Sequence, residues 1–368
     1  MKKILQIGMT SNYGGIESFI MNVYRNIDRN KFQFDFINME TNGKALAYSD
    51  EIESMGGKIY KIPGRRENFL KNHNELKEII RSNNYDFVHN NVLTWSYSDG
   101  ISLPLKYSAS KVIVHSHNSY MNPDMYARRL LNLVNRRFNY RNDIIRLSCS
   151  TGASKWLFRN RPAKVIPNGI DTSSYKFNPA TRNEYRQKFK VKNKNVFLHV
   201  GRLSHQKNHE FLFQWFKEIL KRDPNSILFL VGDGELRESL KKKVQEMKLS
   251  PYIKFLGIRS DVKKLMFMSD AFLFPSYYEG LGIVLIEAQA TGLQCIASNN
   301  IEPEAKVTNQ IKTIDITSSP ANYVSMALES AANSKKFDRT NSYLKVKEAG
   351  YDISNTVNML EEIYSNKE

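Results

Sequence analysis

Cysteine is scarce. The 368 residues include two, Cys149 and Cys295, far apart and in no C-x-x-C pair. A disulfide framework and a four-cysteine zinc site are excluded. Isolated thiols in apolar surroundings suit a reducing compartment and read as small core filler. Long hydrophobic runs are missing as well, since none approaches the roughly 18 residues needed to span a bilayer. The opening Met1-Lys2-Lys3-Ile4-Leu5 resembles the start of a signal peptide, but its apolar stretch ends at Thr10-Ser11-Asn12, too soon for an h-region. The expectation is a first β-strand in an unprocessed cytosolic protein. Common catalytic signatures are also absent. There is no G-x-x-x-x-G-K-[ST] phosphate loop, no G-x-S-x-G elbow, no H-E-x-x-H and no G-x-G-x-x-G. No D-x-D pair is available to hold a metal on a sugar nucleotide; Asp233-Gly234-Glu235 comes nearest.

What is present is a globular, basic chain. An apolar share of 41% excludes disorder, and the length suits two domains. The net charge of +17 favours anionic partners: nucleic acid, lipid headgroups or phosphorylated metabolites. Residues 1–176 carry 26 basic and 15 acidic side chains, residues 177–368 carry 28 and 22. The densest basic tract runs from Arg128 to Lys164.

Short apolar runs alternate with amphipathic stretches. Strands are expected at 3–8, 33–38, 58–62, 86–89, 111–115, 145–149, 164–166, 195–200, 226–231, 253–256, 271–274 and 293–297. Helical periodicity fills 16–27 and 209–222, the latter through Leu212, Trp215, Phe216, Ile219 and Leu220. This alternation predicts an α/β chain with parallel sheets covered by helices on both faces. Ile4-Leu5-Gln6-Ile7-Gly8 and Phe197-Leu198-His199-Val200-Gly201 both read as the first strand and turn of a doubly wound domain. The join is expected near 172–190. The amphipathic segment 351–366 reads as a cap on the second domain.

Four loops at strand ends carry the candidate chemistry. In the first, Gly14-Gly15 opens a helix whose free N–H groups could meet an anion, though a tight βα turn explains it equally well. The second, Val200 to Asn208, sets Arg202 and Lys207 at the end of a parallel strand, where open α/β sheets bind ligands. Two cations beside a helix start make a diphosphate site. In the third, Glu279 precedes Gly280-Leu281-Gly282-Ile283, whose N–H groups can reach an anion. Glu287 follows on an apolar helix that stops at Gly292. Two carboxylates at this spacing suit sugar hydroxyls; a capping Glu279 and an ion-paired Glu287 are the bland alternative. The fourth is His115-Ser116-His117-Asn118 at another strand end. No carboxylate accompanies these histidines as a metal ligand, which leaves polar contact or a purely structural role. Without a metal, cations and helix N-termini must stabilise a leaving diphosphate.

Together these stretches resemble the family 4 retaining glycosyltransferases of the GT-B fold. The resemblance rests on Gly14-Gly15-Ile16-Glu17, His117-Asn118, Ile166-Pro167-Asn168-Gly169-Ile170-Asp171, Val200-Gly201-Arg202 with Lys207, Val231-Gly232-Asp233-Gly234, Phe255-Leu256-Gly257 with Asp261, and the E-x7-E pair Glu279 and Glu287. Their order covers nearly the whole chain. The resemblance implies two Rossmann-like domains, 1–175 on the acceptor side and 176–350 on the nucleotide-sugar side, facing a central cleft. It implies that segment 351–368 crosses back to the first domain. It also implies roles. Arg202 and Lys207 would neutralise the donor diphosphate, and Glu287 would hold the ribose. Glu279 would contact the sugar, beside the backbone of Gly280, Leu281, Gly282 and Ile283. Ile258 and Arg259 would meet the base. Gly14 and Gly15 would approach phosphates or acceptor, and His117 would touch the sugar near the reacting carbon. His117 is preferred over His115 because Asn118 follows it. The donor would be a nucleoside-diphosphate sugar, UDP-linked by family preference, and the acceptor a glycan or a lipid-diphosphate-linked glycan. No cofactor and no metal are expected. The setting would be cell-surface polysaccharide assembly in the cytoplasm, with the basic tract against an anionic membrane face. A GT-B-shaped epimerase is the nearest rival. A nucleic-acid-binding protein is the rival of another class, but no helix-turn-helix or aromatic-basic RNA signature supports it.

Overall fold

The computed structural model describes residues 1–120, 126–139 and 143–365. The chain divides into two compact units, Met1–Gly169 with Ile353–Glu368, and Ile170–Asp352.

The first unit holds seven parallel strands: β1 (Lys2–Ile7), β2 (Phe32–Asn38), β3 (Ile59–Lys61), β4 (Phe87–Val92), β5 (Lys111–Ser116), β6 (Ile144–Ser148) and β7 (Lys164–Val165). Their spatial order is β3-β2-β1-β4-β5-β6-β7. One face buries Phe19, Ile20 and Val23 of the helix Gly15–Asn26 against Phe32, Phe34 and Phe87. The helix Ile353–Tyr364 joins this same cluster through Val357, Leu360 and Tyr364. Segment 351–366 therefore does not cap the second domain. Its periodicity identified an apolar face, and the aromatic-rich surface of the first sheet is what covers it.

The second unit holds six parallel strands: β8 (Asn195–Val200), β9 (Ser226–Val231), β10 (Ile253–Gly257), β11 (Ala271–Phe274), β12 (Gln294–Ser298) and β13 (Ile311–Ile314). Their order is β10-β9-β8-β11-β12-β13, the doubly wound 3-2-1-4-5-6 pattern. The helix His209–Arg222 packs Leu212, Trp215, Phe216 and Ile219 against β8, β9 and β11.

The boundary expected at 175 lies at Gly169. Residues 170–175 are held within the second unit: Ile170 donates its N–H to the Tyr351 carbonyl at 2.9 Å, Thr172 bonds the Asp352 carboxylate, and the Tyr175 hydroxyl bonds Glu287. Strand β13 was not anticipated, because Lys312 and Thr313 interrupt its apolar character.

Candidate functional site

In a doubly wound sheet the loops part at the strand pair where the winding reverses, and that crevice accepts ligands. In the second unit the pair is β8 and β11. Two of the sequence-predicted loops leave from these strands and are tied together. The Tyr277 N–H donates to the Gln206 carbonyl, and the Gln206 side chain donates to the Tyr278 carbonyl, both at 2.9 Å.

Lys207 and Glu279 meet here. Lys207 Nζ donates to Glu279 Oε1 at 2.7 Å and lies 4.6 Å from the centre of the Phe274 ring. Both side chains are nearly buried. The lysine stem crosses Gly201 so closely that a Cβ there would stand 2.8 Å from Lys207 Cε. An ammonium shielded from water acts on a nearby anion more strongly than a solvated one. Gly282, at φ +76°, is the left-handed hinge that starts the helix Ile283–Ala290. Leu285 donates its N–H to the Gly282 carbonyl at 2.8 Å, and the N–H groups ahead of it in the first turn have no intrahelical acceptor. Gly292 ends this segment at φ +69°, with Arg339 and Ser342 packed where a Cβ would stand.

Arg202 is different. It is half-exposed and its Nε donates to an equally exposed Glu235 at 3.1 Å. A surface pair of this kind contributes about 0–1 kcal/mol, so the guanidinium can turn to an anion at small cost. Glu287 lies one turn into the helix, and burial pushes its pKa up to about 7 while the Tyr175 hydroxyl pulls the other way. It has no Lys or Arg partner among the ion pairs of the described residues, contrary to the bland alternative. In the loop after β10, Ile258 is exposed. Arg259 is committed: it forks onto Asp261 at 2.8 and 2.6 Å, which holds its own ionisation above the usual range. Asp261 also accepts from the Tyr185 hydroxyl.

The equivalent strand pair in the first unit is β1 and β4. The loop after β1 is closed on itself by Glu17. This buried carboxylate accepts from the Thr10 N–H, the Thr10 hydroxyl and the Gly14 N–H at 2.9, 2.7 and 3.1 Å. Burial raises its pKa although these bonds oppose the shift. A Cβ on Gly14 would stand 2.7 Å from Glu17 Oε2, whereas one on Gly15 would meet open space. A side chain at Gly14 would therefore press on the Glu17 carboxylate, and Gly15 is the open position.

His117 sits in a polar network that sequence reasoning missed. Asn91 donates its amide to Gln6 Oε1 and to the Ile7 carbonyl, at 2.9 and 3.3 Å. Its Oδ1 is then the acceptor 3.0 Å from His117 Nε2. The proton must be on Nε2, and Nδ1 is left as an acceptor without a partner. Burial holds the ring neutral, its pKa pushed down to about 3. The His115 ring lies 4.2 Å from it, centre to centre and tilted by 34°, but is fully buried. His115 Nδ1 pairs with His89 Nε2 at 3.2 Å, and His89 Nδ1 with the Tyr364 hydroxyl at 2.6 Å. The overlooked signal was His89-Asn90-Asn91, a polar run ending an otherwise apolar strand.

The structure thus brings Lys207 and Glu279 into contact, with Arg202, Glu287 and Gly280 to Ile283 on the same two loops and the helix that follows. Ile258 and Arg259 stand two strands away, and Gly14, Gly15 and His117 belong to the first unit. Among the described residues no group of three or more His, Cys, Asp or Glu side chains could hold a metal ion. Nor is any described helix long and apolar enough to cross a membrane. Of the basic tract, Arg141 and the Arg128 side chain lie outside the described residues.

Comparison with known proteins adds the following. Residues 13–174 match the model for Glycosyltransferase Family 4, and residues 181–333 match that for Glycosyl transferases group 1. EpsF of Bacillus subtilis (strain 168), a glycosyltransferase by assignment only, is 29% identical over 378 residues, covering 99% of this chain and 96% of its own. CapH of Staphylococcus aureus, a capsular polysaccharide biosynthesis glycosyltransferase, is 27% identical over 390 residues, covering 100% and 99%. The crystal structure of Anabaena Alr3699/HepE in complex with UDP-glucose superposes with a TM-score of 0.81 over 100% of both chains at 19% identity. That last likeness concerns the fold.

Proposed function

Since the chain belongs to the glycosyltransferases of family 4 and group 1, with the two Rossmann-like domains of the GT-B fold, we propose that it moves a hexose with retention of configuration. The donor is a nucleoside-diphosphate sugar, UDP-linked, and the acceptor is a glycan or a lipid-diphosphate-linked glycan. The setting is capsule-type polysaccharide assembly in the cytoplasm, peripheral at the inner face of the membrane. The single observation that carries the reading is the Lys207–Glu279 pair where the second sheet's winding reverses. The full-length likeness to CapH supports the pathway; the UDP-linked donor is the family's preference.

In this mechanism Lys207 and Arg202 take the diphosphate oxygens, and the N–H groups from Gly280 to Ile283 lie beside them. The acceptor hydroxyl oxygen bonds to the anomeric carbon on the face from which the diphosphate departs. The bond from that carbon to the phosphate oxygen breaks with its electron pair, and the departing phosphate takes the hydroxyl proton. Positive charge builds on the sugar and negative charge on the leaving group, so fixed cations lower the barrier without a metal or cofactor. Glu287 accepts from the ribose hydroxyls, Glu279 from the sugar, and exposed Ile258 packs on the base. Arg259 shapes that loop through Asp261. Gly15 leaves its loop open to phosphates or acceptor, Gly14 donates to Glu17 within that loop, and His117 Nδ1 accepts from a sugar hydroxyl.

A thermal-shift screen of nucleoside diphosphates tests the reading. UDP at ~100 times its dissociation constant adds about 2.7 kcal/mol of stability, and transfer to a glycan acceptor follows. Indifference to every nucleoside diphosphate contradicts it. Epimerised donor formed with no acceptor present replaces it with an isomerase.

A further inference from the structure

A polar row crosses the apolar face of the first sheet. Gln6 stands on β1, His89 and Asn91 on β4, and His115 on β5 with His117 just past its end. Gln6 pairs with His89 and Asn91 with His115 along neighbouring strands. Alternation along each strand then puts these side chains on one face. All are buried. Polar groups in such a place are costly unless paired, so their hydrogen bonds must form one consistent set.

The fixed point of that set is a backbone carbonyl. A carbonyl only accepts, so the Asn91 group facing the Ile7 carbonyl is its amide nitrogen. The same nitrogen meets Gln6 Oε1, which turns the Gln6 amide nitrogen toward the Tyr364 hydroxyl at 3.5 Å. Tyr364 then donates to His89 Nδ1, and His89 Nε2 to His115 Nδ1. Asn91 Oδ1 is left for His117 Nε2. The His117 backbone N–H donates to the Val92 carbonyl at 3.0 Å, so its ring and its backbone are both fastened to β4. Gly8, at φ +117°, allows the fit, because a Cβ there would stand 2.1 Å from the Asn91 carbonyl oxygen.

We infer that Gln6 and Asn91 are positioning residues for His117: Gln6 orients the Asn91 amide, and Asn91 holds the ring with its Nδ1 lone pair free for a hydroxyl donor. This rests on the reading of His117 as a sugar contact. A neutral imidazole can carry its proton on either nitrogen, and the bond made by one decides the other. With the proton on Nε2, Nδ1 favours a ligand group that donates. An ether or carbonyl oxygen would set lone pair against lone pair. The rings packed on His117 are Phe19 at 5.1 Å and His115, which burial keeps neutral.

Nitrogen-15 NMR of the full chain labelled in histidine tests the proton's place, since protonated and bare ring nitrogens resonate far apart. His117, assigned by its loss in His117→Gln, should show the Nε2–H form from pH 6 to pH 8. Asn91→Leu should give a mixture of both forms and lower kcat/KM for transfer about tenfold. Gln6→Met conserves volume and leaves Asn91 its bond to Ile7, so it should cost about threefold. Asn91→Asp keeps an acceptor opposite Nε2 but sets a carboxylate beside the ring, which favours imidazolium. Its activity at pH 8 should exceed that of Asn91→Leu, and an acid limb should enter its pH profile above pH 5. The parent lacks that limb, its ring staying neutral down to about pH 3. A purely structural Asn91 would lower activity without moving the profile. An Nδ1–H form in the parent, or an Asn91→Asp profile that matches the parent's, overturns the proposal, and neither depends on Asn91→Leu folding. UDP carries no sugar for His117 to meet, so the thermal shift with UDP should be the same in every variant. A parent that ignores UDP removes the transferase reading, and the NMR still decides where the proton sits.

Discussion

The two sheets wind alike, yet the crevices at their reversal points hold opposite chemistry. In the first unit the carboxylate near the crevice, Glu17, is turned inward to close its own loop, and neutral histidines and asparagines line the strand ends. In the second, Lys207 and Arg202 follow β8, and Glu279 and Glu287 follow β11. Topology offers two equivalent places for a ligand. The residues just past the strand ends give one of them cations and carboxylates and the other neutral imidazoles and amides.

The largest test of this contrast is structural. The first unit is completed by a helix that returns from the end of the chain, and the second needs no such return. Tyr364→Ala should cost about 3–5 kcal/mol, because this buried ring packs on Phe32, Phe34 and Phe87. Tyr364→Phe, losing the bond to His89, should cost about 1 kcal/mol. Denaturant titration followed by domain-specific hydrogen exchange should place the loss in the first unit; a loss centred on the second would break the comparison.

Lys207→Ala should lower kcat/KM by about 2–4 kcal/mol of transition-state stabilisation. Arg202→Ala should cost less than Lys207→Ala, because Arg202 is half solvated and already shares Glu235. Equal turnover in both variants and the parent would remove the diphosphate assignment.

Glu287 sharpens the contrast through pH. Its folded pKa, about 7, is raised from the ordinary 4.5 by burial. The associated stability is complete below pH 4.5 and is lost as pH rises through about 7. Glu287→Gln should therefore be more stable than the parent at pH 8, by about 3 kcal/mol at most, and no different at pH 4. Thermal melts at the two pH values check this. A carboxylate that holds ribose hydroxyls also ionises on binding, so UDP affinity should rise from pH 6 to pH 8.

The buried imidazoles run the other way. His89 and His117 have pKa values pushed down from 6.5 to about 3, and His209 to about 4. Their stability is present above pH 6.5 and lost as pH falls toward those values. Acidification to pH 5 should cost about 2 kcal/mol for each. A melting temperature that stays level from pH 7 to pH 5 would contradict this. The smallest effect is expected at Gly15, where Ala should change stability by less than about 0.5 kcal/mol yet lower transfer if this loop touches a ligand. Gly14→Ala should disturb the bonds of Glu17 instead.

Much of this was legible in the sequence, for physical reasons. Strands dominated by apolar residues let twelve segments be located, whereas β13 is only four residues long and half of it is Lys312 and Thr313. The loops of Arg202, Lys207 and Glu279 were legible because their residue types conflict with their neighbours. What escaped depends on partners distant in the chain. Periodicity showed that 353–364 has an apolar face but not which sheet it covers. The tract from Arg128 to Lys164 read as basic, and nothing in its order said that Asn132 and Asn135 bond the Trp95 backbone. The role of Asn91 in fixing the His117 proton depends on Gln6, 85 residues earlier.

The most direct measurement is a crystal structure of the chain with UDP. The proposed site predicts the diphosphate within hydrogen-bond reach of Lys207 Nζ, with Arg202 swung from Glu235 onto it and the start of the helix Ile283–Ala290 beside it. A diphosphate seated elsewhere, with Lys207 and Glu279 still paired and untouched, would contradict it.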